Sequence, residues 1–451
     1  MHLSDAGTIH IIGAGLAGLA AAERLLRSHW TVAVHEATAV AGGRCRSYYD
    51  QSTGMVIDNG THLLLSGNNS AISLTEAIGS RSGLRGPDEA QFAFVDIANG
   101  EQWTLRFGDS RFPWWVFDKD RRVPQTAVVD YLPLARLAWA TADKPIGDIM
   151  KCGGPIYDRF VGPLLLAALN IAPQQGSAKL AGAVVRETLA LGGQACRPLL
   201  AYEGLGSVFV EPAITHLRGL GVTISFEDEL VELLFGNGRV SQLKFAKRTV
   251  ELGGNDAVIL AIPPYVATNL VPSLIAPNSF RGIVNAHFRI DPPSHLPPML
   301  GVINGTCEWI FPLPGRISAT ISDSGRLFDM PRTELAQIIW NDIAKVAKLP
   351  DTLPPWQIVR ERRATFAATP EQNARRPAAE TTWNNLFLAG DWTQTGLPAT
   401  IEGAVRSGYR AADLVKHRLR AAVWRALQTS CRCHQGRPGL IPRSEGRCTR
   451  F

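Results

Sequence analysis

The chain has 451 residues, of which 45% are hydrophobic and 19% charged, and it carries a net charge of +6. That length exceeds one compact core and implies two or three domains, and the composition excludes a disordered or collagenous chain. The charge is uneven: residues 416–451 carry +8 and the rest −2, so the basic character belongs to a tail, and no aromatic-interleaved basic motif argues for nucleic acid.

Seven cysteines, at 45, 152, 196, 307, 431, 433 and 448, form no disulfide framework, which suits a reducing cytoplasm. Cys431, Cys433, His434 and Cys448 match no zinc spacing, so no metal is expected. No secretory signal precedes the first apolar strand. The run from Ala257 to Phe280 is free of charge but holds four prolines, which argues against a spanning helix. A peripheral membrane contact stays open, and the basic tail is either a solvated end or a patch for anionic lipid.

In chain order, Ile9–Ile12 reads as a buried strand, Leu16–Arg27 as a helix and Thr31–Val34 as a second strand ending near Glu36. Gly13, Gly15 and Gly18 give G-x-G-x-x-G at the strand–helix turn, and the acid at Glu36 completes a dinucleotide-binding β-α-β unit. Gly13 serves the tight turn, Gly15 the approach of a pyrophosphate and Gly18 the close packing of helix on sheet. The helix N-terminus attracts the phosphates. Glu36 accepts both hydroxyls of a ribose and repels a 2′-phosphate, which argues against NADP. Gly42-Gly43-Arg44 follows directly, and in two-dinucleotide-binding flavoproteins such a stretch wraps the cofactor with the arginine near the phosphates.

Further strands are expected at Met55–Asp58, leading into a ligand-facing turn through His62, and at 221–226, Leu230–Leu233, Arg239–Phe245, 256–262 and 385–391, as one parallel-type sheet. Residues 76–199 are rich in Leu, Ala and Trp, with helices expected at Tyr131–Ala142 and Ala178–Leu191. Residues 266–380 show strands at 280–290, 299–303, 308–311 and 316–322 and a helix at Arg332–Ala347. The fold class is therefore α/β: a discontinuous Rossmann-like FAD-binding domain (1–75, 200–265, 381–420), a substrate domain with a mixed or antiparallel sheet and a helical cap (76–199, 266–380), and a disordered tail (421–451). The aromatic run Phe112–Phe117 and the aliphatic run Pro163–Asn170 are each ordinary core or, together, an apolar tunnel or membrane-facing mouth for a lipophilic substrate.

Near the end, an apolar run stops at Gly390-Asp391 and a helix starts at Ile401. The β-α-β unit alone leaves NAD and FAD open, and this segment together with Gly42-Gly43-Arg44 tips the reading to FAD: Asp391 would meet the ribityl chain or pyrophosphate edge, and the backbone of Thr400 and Ile401 the flavin N1–C2=O edge, where the helix dipole favours the reduced anion. Asp391 lies too far upstream to cap that helix, a role left to Thr400. Gly204-Leu205-Gly206 lacks the strand and acid of a second fingerprint, so no built-in NAD(P)H site is expected.

Residues 9–62 and 385–408 resemble the amine oxidase and phytoene desaturase superfamily of FAD enzymes. Three stretches, 58–69 (DNGTHLLLSGNN), 162–178 (GPLLLAALNIAPQQGSA) and 361–408, resemble its hydroxysqualene dehydroxylases in particular. The resemblance spans residues 9–415. It implies a non-covalent FAD held by Gly13, Ala14, Gly15, Gly18, Glu36, Gly43, Arg44, the main chain at Leu230, Gly390, Asp391 and Ile401, with His62 beside the flavin as the first candidate acid and Asp323 as a weaker one. Glu402 is expected to complement the helix N-terminus. Amine oxidases place an aromatic residue where this chain has Thr400, which counts against an amine substrate. The implied reaction is reductive dehydroxylation of hydroxysqualene to squalene, with a lipophilic isoprenoid substrate and contacts to squalene-pathway enzymes or the inner membrane face. A carotenoid or phytoene-type desaturase is the first alternative, and a flavin amine oxidase the second.

Overall fold

A computed structural model describes residues 7–434 apart from 27, 29 and 141, with side chains described as far as Leu419. The five strands Thr223–Ser225, Thr31–His35, Thr8–Ile12, Ala257–Leu260 and Leu386–Leu388 pair in that order, all parallel, as one sheet. Each is short and largely apolar, as expected of strands covered on both faces. The helix Leu16–Leu25 packs on one face against the helix Ile401–His434. Ala17, Ala20, Ala21 and Ala22 are buried there, and a Cβ on Gly408 would fall 2.2 Å from the Ala17 carbonyl oxygen, so small residues allow the two backbones to approach. The C-terminal helix runs beyond residue 420; the remainder of the expected tail, with Cys448, lies outside the described residues.

Two corrections apply to the expected parallel sheet. Leu230–Gly236, Arg239–Phe245 and Thr249–Glu251 form a separate antiparallel sheet, because the Asn237-Gly238 turn, with both residues at positive φ, closes a tight hairpin. Met55–Asp58 pairs only with Ser47–Asp50, antiparallel.

A seven-stranded mixed sheet takes its strands in the order Trp356–Phe366, Phe280–Arg289, Arg316–Ile321, Trp309–Leu313, Leu300–Ile303, Gln91–Asp96 and Gln102–Arg106. All neighbours are antiparallel except Leu300–Ile303 with Gln91–Asp96. One face (Val284, Ala286, Ile310, Ala319, Ile321) packs on the helix Arg332–Ala347 through Ile339, Trp340 and Ile343. The opposite face carries Asn285, His287, Trp309, Phe311, Ser318 and Thr320, by the two-residue alternation of a strand, and His287 and Asn285 reach the carbonyls of Asp58 and Asn59. The helices of the cap are shorter than expected: Leu132–Ala138 follows a 3-10 turn at Val128–Tyr131, and Ala178–Glu187 is followed by one at Leu189–Leu191.

Candidate flavin site

The Gly-rich turn is built on sterics. Gly13 lies at φ +105°, where a Cβ would come 2.4 Å from the Ala261 carbonyl oxygen, and its N–H donates to the His35 carbonyl at 2.7 Å. A Cβ on Gly18 would sit 1.9 Å from the Gly13 carbonyl oxygen, so the helix rests directly on the turn. Gly15 differs: it is the extended N-cap of the helix, no side chain caps it, the first turn holds no acid, and a Cβ there would meet nothing within 4 Å. An uncapped helix N-terminus thus opens on free space, the arrangement that binds phosphate.

The other predicted residues gather around this turn. The Ala14 N–H donates to Glu36 Oε2 at 2.8 Å, and Glu36 Oε1 accepts from the Thr38 backbone and hydroxyl. Gly42 N–H donates to the Ala14 carbonyl, and Gly43, at φ +56°, would bring a Cβ to 3.6 Å from Gly15 Cα. The Asp228 N–H donates to the Glu36 carbonyl, which places the start of Leu230–Gly236 beside Glu36. A buried polar chain beneath these groups escaped the sequence reading. His10 Nδ1 meets His35 Nε2 at 3.1 Å, His35 Nδ1 meets Asp228 at 2.8 Å, and Arg248 donates to Asp228. Burial is the main cause that pushes His10 down to about 4 and lowers His35, so both rings are neutral near pH 7.

At the far end of the sheet, Gly390 has φ +143°, and a Cβ would lie 2.4 Å from Trp392 Nε1. The turn releases Asp391, whose carboxylate accepts from Arg44 Nη2 at 2.8 Å to each oxygen. Arg44 also donates to the Ala364 carbonyl at 2.6 Å. The Asp391 charge is the main cause that raises the Arg44 pKa. Arg44 is surrounded by protein, yet 47% of its side-chain surface is open, against 7% for Asp391. Arg44 therefore lies in a deep recess of the protein rather than on an open face.

His62 shows the same combination. Its side chain is exposed by surface area, while desolvation by the surrounding protein is the main cause that lowers its pKa. Its Nδ1 lies 2.7 Å from the Gly60 carbonyl, which only accepts, so Nδ1 carries the proton and the neutral ring offers Nε2 as an acceptor. The resting ring is therefore no proton donor, and an acid role for His62 requires a second proton. Beside it, the Thr61 hydroxyl is buried with no partner among the described residues. From the other side, Asn285 Nδ2 reaches the Asn59 carbonyl at 3.4 Å, and Thr320 donates to Asn285 Oδ1 at 2.8 Å. The inner face of the seven-stranded sheet thus meets the Asn59–His62 turn directly.

Three other residues take roles of their own. Thr400 is the cap: its Oγ1 accepts from Gly403 N–H at 3.0 Å, immediately before Ile401. Glu402 serves a different helix from the one expected. Its buried carboxylate accepts from the N–H groups of Ser70 and Ala71, at the start of Asn69–Ala77, and pairs with Arg406. Asp323 is engaged by Arg281 at 3.4 Å and by the Ala172 N–H at 3.3 Å, so it ties the 162–178 segment to the large sheet. Arg376 was missed altogether. It is 2% exposed and donates to the carbonyls of Leu397 (2.8 Å) and Asp391 (3.0 Å), to Thr395 Oγ1 (2.7 Å) and to Asn373 Oδ1 (3.1 Å), with its guanidinium 4.9 Å over the Phe366 ring. The tandem Arg375-Arg376 was the only signal, and it does not separate a buried clamp from a solvated charge.

The sequence matches the flavin containing amine oxidoreductase family over residues 16–416. It is 57% identical over 409 residues to a hydroxysqualene dehydroxylase of Rhodopseudomonas palustris, covering 90% of this chain and 98% of that one. It is 54% identical over 406 residues to a hydroxysqualene dehydroxylase of Sinorhizobium fredii, covering 90% and 97%. The chain belongs to the flavin containing amine oxidoreductases, among the hydroxysqualene dehydroxylases. The fold is shared with cyclohexylamine oxidase from Brevibacterium oxydans, at a TM-score of 0.65 and 16% identity over 92% of this chain and all of that one. A flavin fits the residues in hand: an uncapped helix N-terminus over an open glycine turn, an enclosed Arg44–Asp391 pair and an unpartnered buried hydroxyl at Thr61. Among the described residues no helix is long and apolar enough to cross a membrane.

Proposed function

We propose that the chain is an FAD-dependent hydroxysqualene dehydroxylase that converts hydroxysqualene to squalene and water. The observation that carries this reading is the 57% identity to a hydroxysqualene dehydroxylase over nearly its whole length. FAD is the flavin proposed, on the strength of the complete β-α-β unit ending in Glu36. The turn from Gly13 through Gly18, with Ala14 and Gly15, takes the pyrophosphate, Glu36 the ribose, and the main chain at Leu230 the adenine. Gly43 and Arg44 close over the phosphates, and Gly390 and Asp391 hold the polar edge through Arg44. The helix start at Ile401 turns its positive end toward the flavin ring. Non-covalent binding is supported by Cys45, the thiol next to Arg44, which is buried with its pKa driven well up by desolvation, the reverse of an activated nucleophile.

Reduced flavin, when bound, would deliver a hydride to the allylic carbon; the chain's own residues handle the other half, in which the substrate's C–O bond breaks and the hydroxyl takes a proton and leaves as water. His62 Nε2 holds the hydroxyl, and the ring passes on a proton only when doubly protonated. Trp309, Phe311 and Phe94 form an apolar stretch of the large sheet's inner face, alongside the polar Asn285, His287, Ser318 and Thr320; such a stretch would keep water from the cation and suit a lipophilic isoprenoid.

The test is anaerobic incubation of the chemically reduced holoprotein with hydroxysqualene. Squalene is the expected product; desaturation of phytoene with no squalene would transfer the reading to a carotenoid-type desaturase. The Asp391→Ala protein is expected to purify without yellow flavin, and full occupancy in it would remove Asp391 from the site.

A further inference from the structure

The aromatic run Phe112–Phe117 is split by the fold. Trp115 and Val116 turn inward, and Trp115 packs edge-on against Phe107 at 4.9 Å and Tyr131 at 5.4 Å. Phe112, Trp114 and Phe117 turn outward, 52%, 65% and 55% exposed. Their rings touch one another, with centroids 4.3 Å apart for Phe112–Trp114 and 6.0 Å for Trp114–Phe117. The Trp115–Tyr131 contact seats the segment Val128–Ala138 alongside. That segment and its C-cap expose Val129, Leu132 and Trp139 at 65%, 60% and 76%. Among the described residues, every exposed Trp and Phe lies in this one part of the cap. Isolated exposed apolar residues need no explanation, but six on two abutting short elements, anchored from beneath, form a surface.

The charges around them are mixed with a slight basic excess: residues 109–139 hold five Arg or Lys (111, 119, 121, 122 and 136) and four Asp (109, 118, 120 and 130). Arg111, Lys119 and Arg136 are exposed. Asp118 and Asp120 are exposed among them; Asp118 accepts from the Asp120 N–H at 2.9 Å and Asp130 from the Ala127 N–H at 2.7 Å. Indole and phenyl rings interleaved with Arg and Lys are the composition of a surface that lies in a bilayer interface, with rings at the headgroup–acyl boundary and cations on anionic headgroups.

We propose that this face of the cap docks onto an anionic lipid bilayer. As a route for a water-insoluble substrate it rests on the dehydroxylase reading; as a binding surface it is tested without substrate. The underside of the patch belongs to the core that continues from Trp115 and Phe107 to Phe160, so docking would hold the cap against the membrane without unfolding any element.

The experiment is co-flotation of the full-chain holoprotein with vesicles of phosphatidylcholine, alone and with phosphatidylglycerol added, for the wild type and for Trp114→Glu/Trp139→Glu. The wild type is expected to float with the phosphatidylglycerol vesicles. The double variant should bind at least about tenfold more weakly, with the same Tm, the same mass by light scattering and unchanged turnover of detergent-dispersed hydroxysqualene. Wild type that stays unbound, or a variant that floats equally well through the basic tail, overturns the proposal. A wild-type dimer that the variant dissociates would assign the face to a second copy instead. Loss of squalene formation in every condition, with vesicle binding intact, would refute only the dehydroxylase reading.

Discussion

Replacing Arg376 by Met should uncouple the loop that carries Asp391 from the rest of the protein. The guanidinium is 2% exposed and spends its two terminal nitrogens on four acceptors, three of them in residues 391–397. All four acceptors are uncharged; burial lowers the Arg376 pKa to about 10, opposed by the charges of Asp391 and Asp143. Met has a similar stem but no donors. It would leave the Asp391 carbonyl and the Thr395 and Asn373 oxygens without this donor, and the Leu397 carbonyl with only the Thr395 hydroxyl at 3.3 Å, at about 1–3 kcal/mol for each group that water does not reach. Part of that is returned because an arginine no longer has to be desolvated, so the net cost should be about 2–4 kcal/mol. Thermal unfolding of the apoprotein should show a fall in Tm of several degrees, and fluorescence titration should show FAD binding weakened at least about tenfold. Arg376→Lys, which keeps the charge and reaches some of the acceptors, should recover part of both. If Arg376→Met keeps its Tm and its FAD affinity, the guanidinium is not what holds the loop, and the argument fails.

Gly15 and Gly18 should separate a ligand role from a packing role. Gly15→Ala introduces a Cβ into open space at an ordinary backbone angle, so apoprotein Tm should hold while FAD affinity falls at least about tenfold; a matching loss of Tm would refute the phosphate-cradle reading. Gly18→Ala drives a Cβ into the Gly13 carbonyl oxygen, and denaturant titration should show a loss of about 1–3 kcal/mol or more. For His62, burial lowers the pKa, so the protonated ring becomes more populated as pH falls through and below the usual histidine range. Above its pKa, the single-turnover rate of squalene formation should rise about tenfold per unit fall in pH, and His62→Gln should flatten that slope. An unchanged profile in His62→Gln would remove the ring from proton delivery.

The nucleotide half of the candidate site was legible because its requirements are local. A tight turn, an uncapped helix and an acid after the next strand all lie within Ile9–Glu36, and sterics at Gly13 and Gly18 admit no other residue without a shift. The long helix Arg332–Ala347 was equally plain, its buried face repeating at Leu335, Ile339, Trp340 and Ile343. Gln91–Asp96 and Gln102–Arg106 lie in a stretch to which the sequence assigned no element, although both form the far edge of the large sheet. Their identity as strands comes from pairing, since Gln91–Asp96 runs parallel to Leu300–Ile303, some two hundred residues away.

What the sequence by itself determined is the set of elements whose cause is near at hand: the glycine turn, the acid at its end, the Thr400 cap and the helix that follows. Tertiary structure alone decided which charge faces which. Asp391 was expected at a flavin's polar edge, and the fold sets it on Arg44, 347 positions away. Glu402 was expected at its own helix and serves the start of Asn69–Ala77, 331 positions from Ala71. His62 was expected beside the flavin as an acid, and the fold sets its Nδ1 on the Gly60 carbonyl and surrounds the ring with protein that favours its neutral form. The physical reason is common to all three. A turn or a cap is settled by sterics and hydrogen bonds within a few residues, whereas the partner and protonation state of an ionisable side chain depend on what the folded chain brings around it and how much water it leaves there.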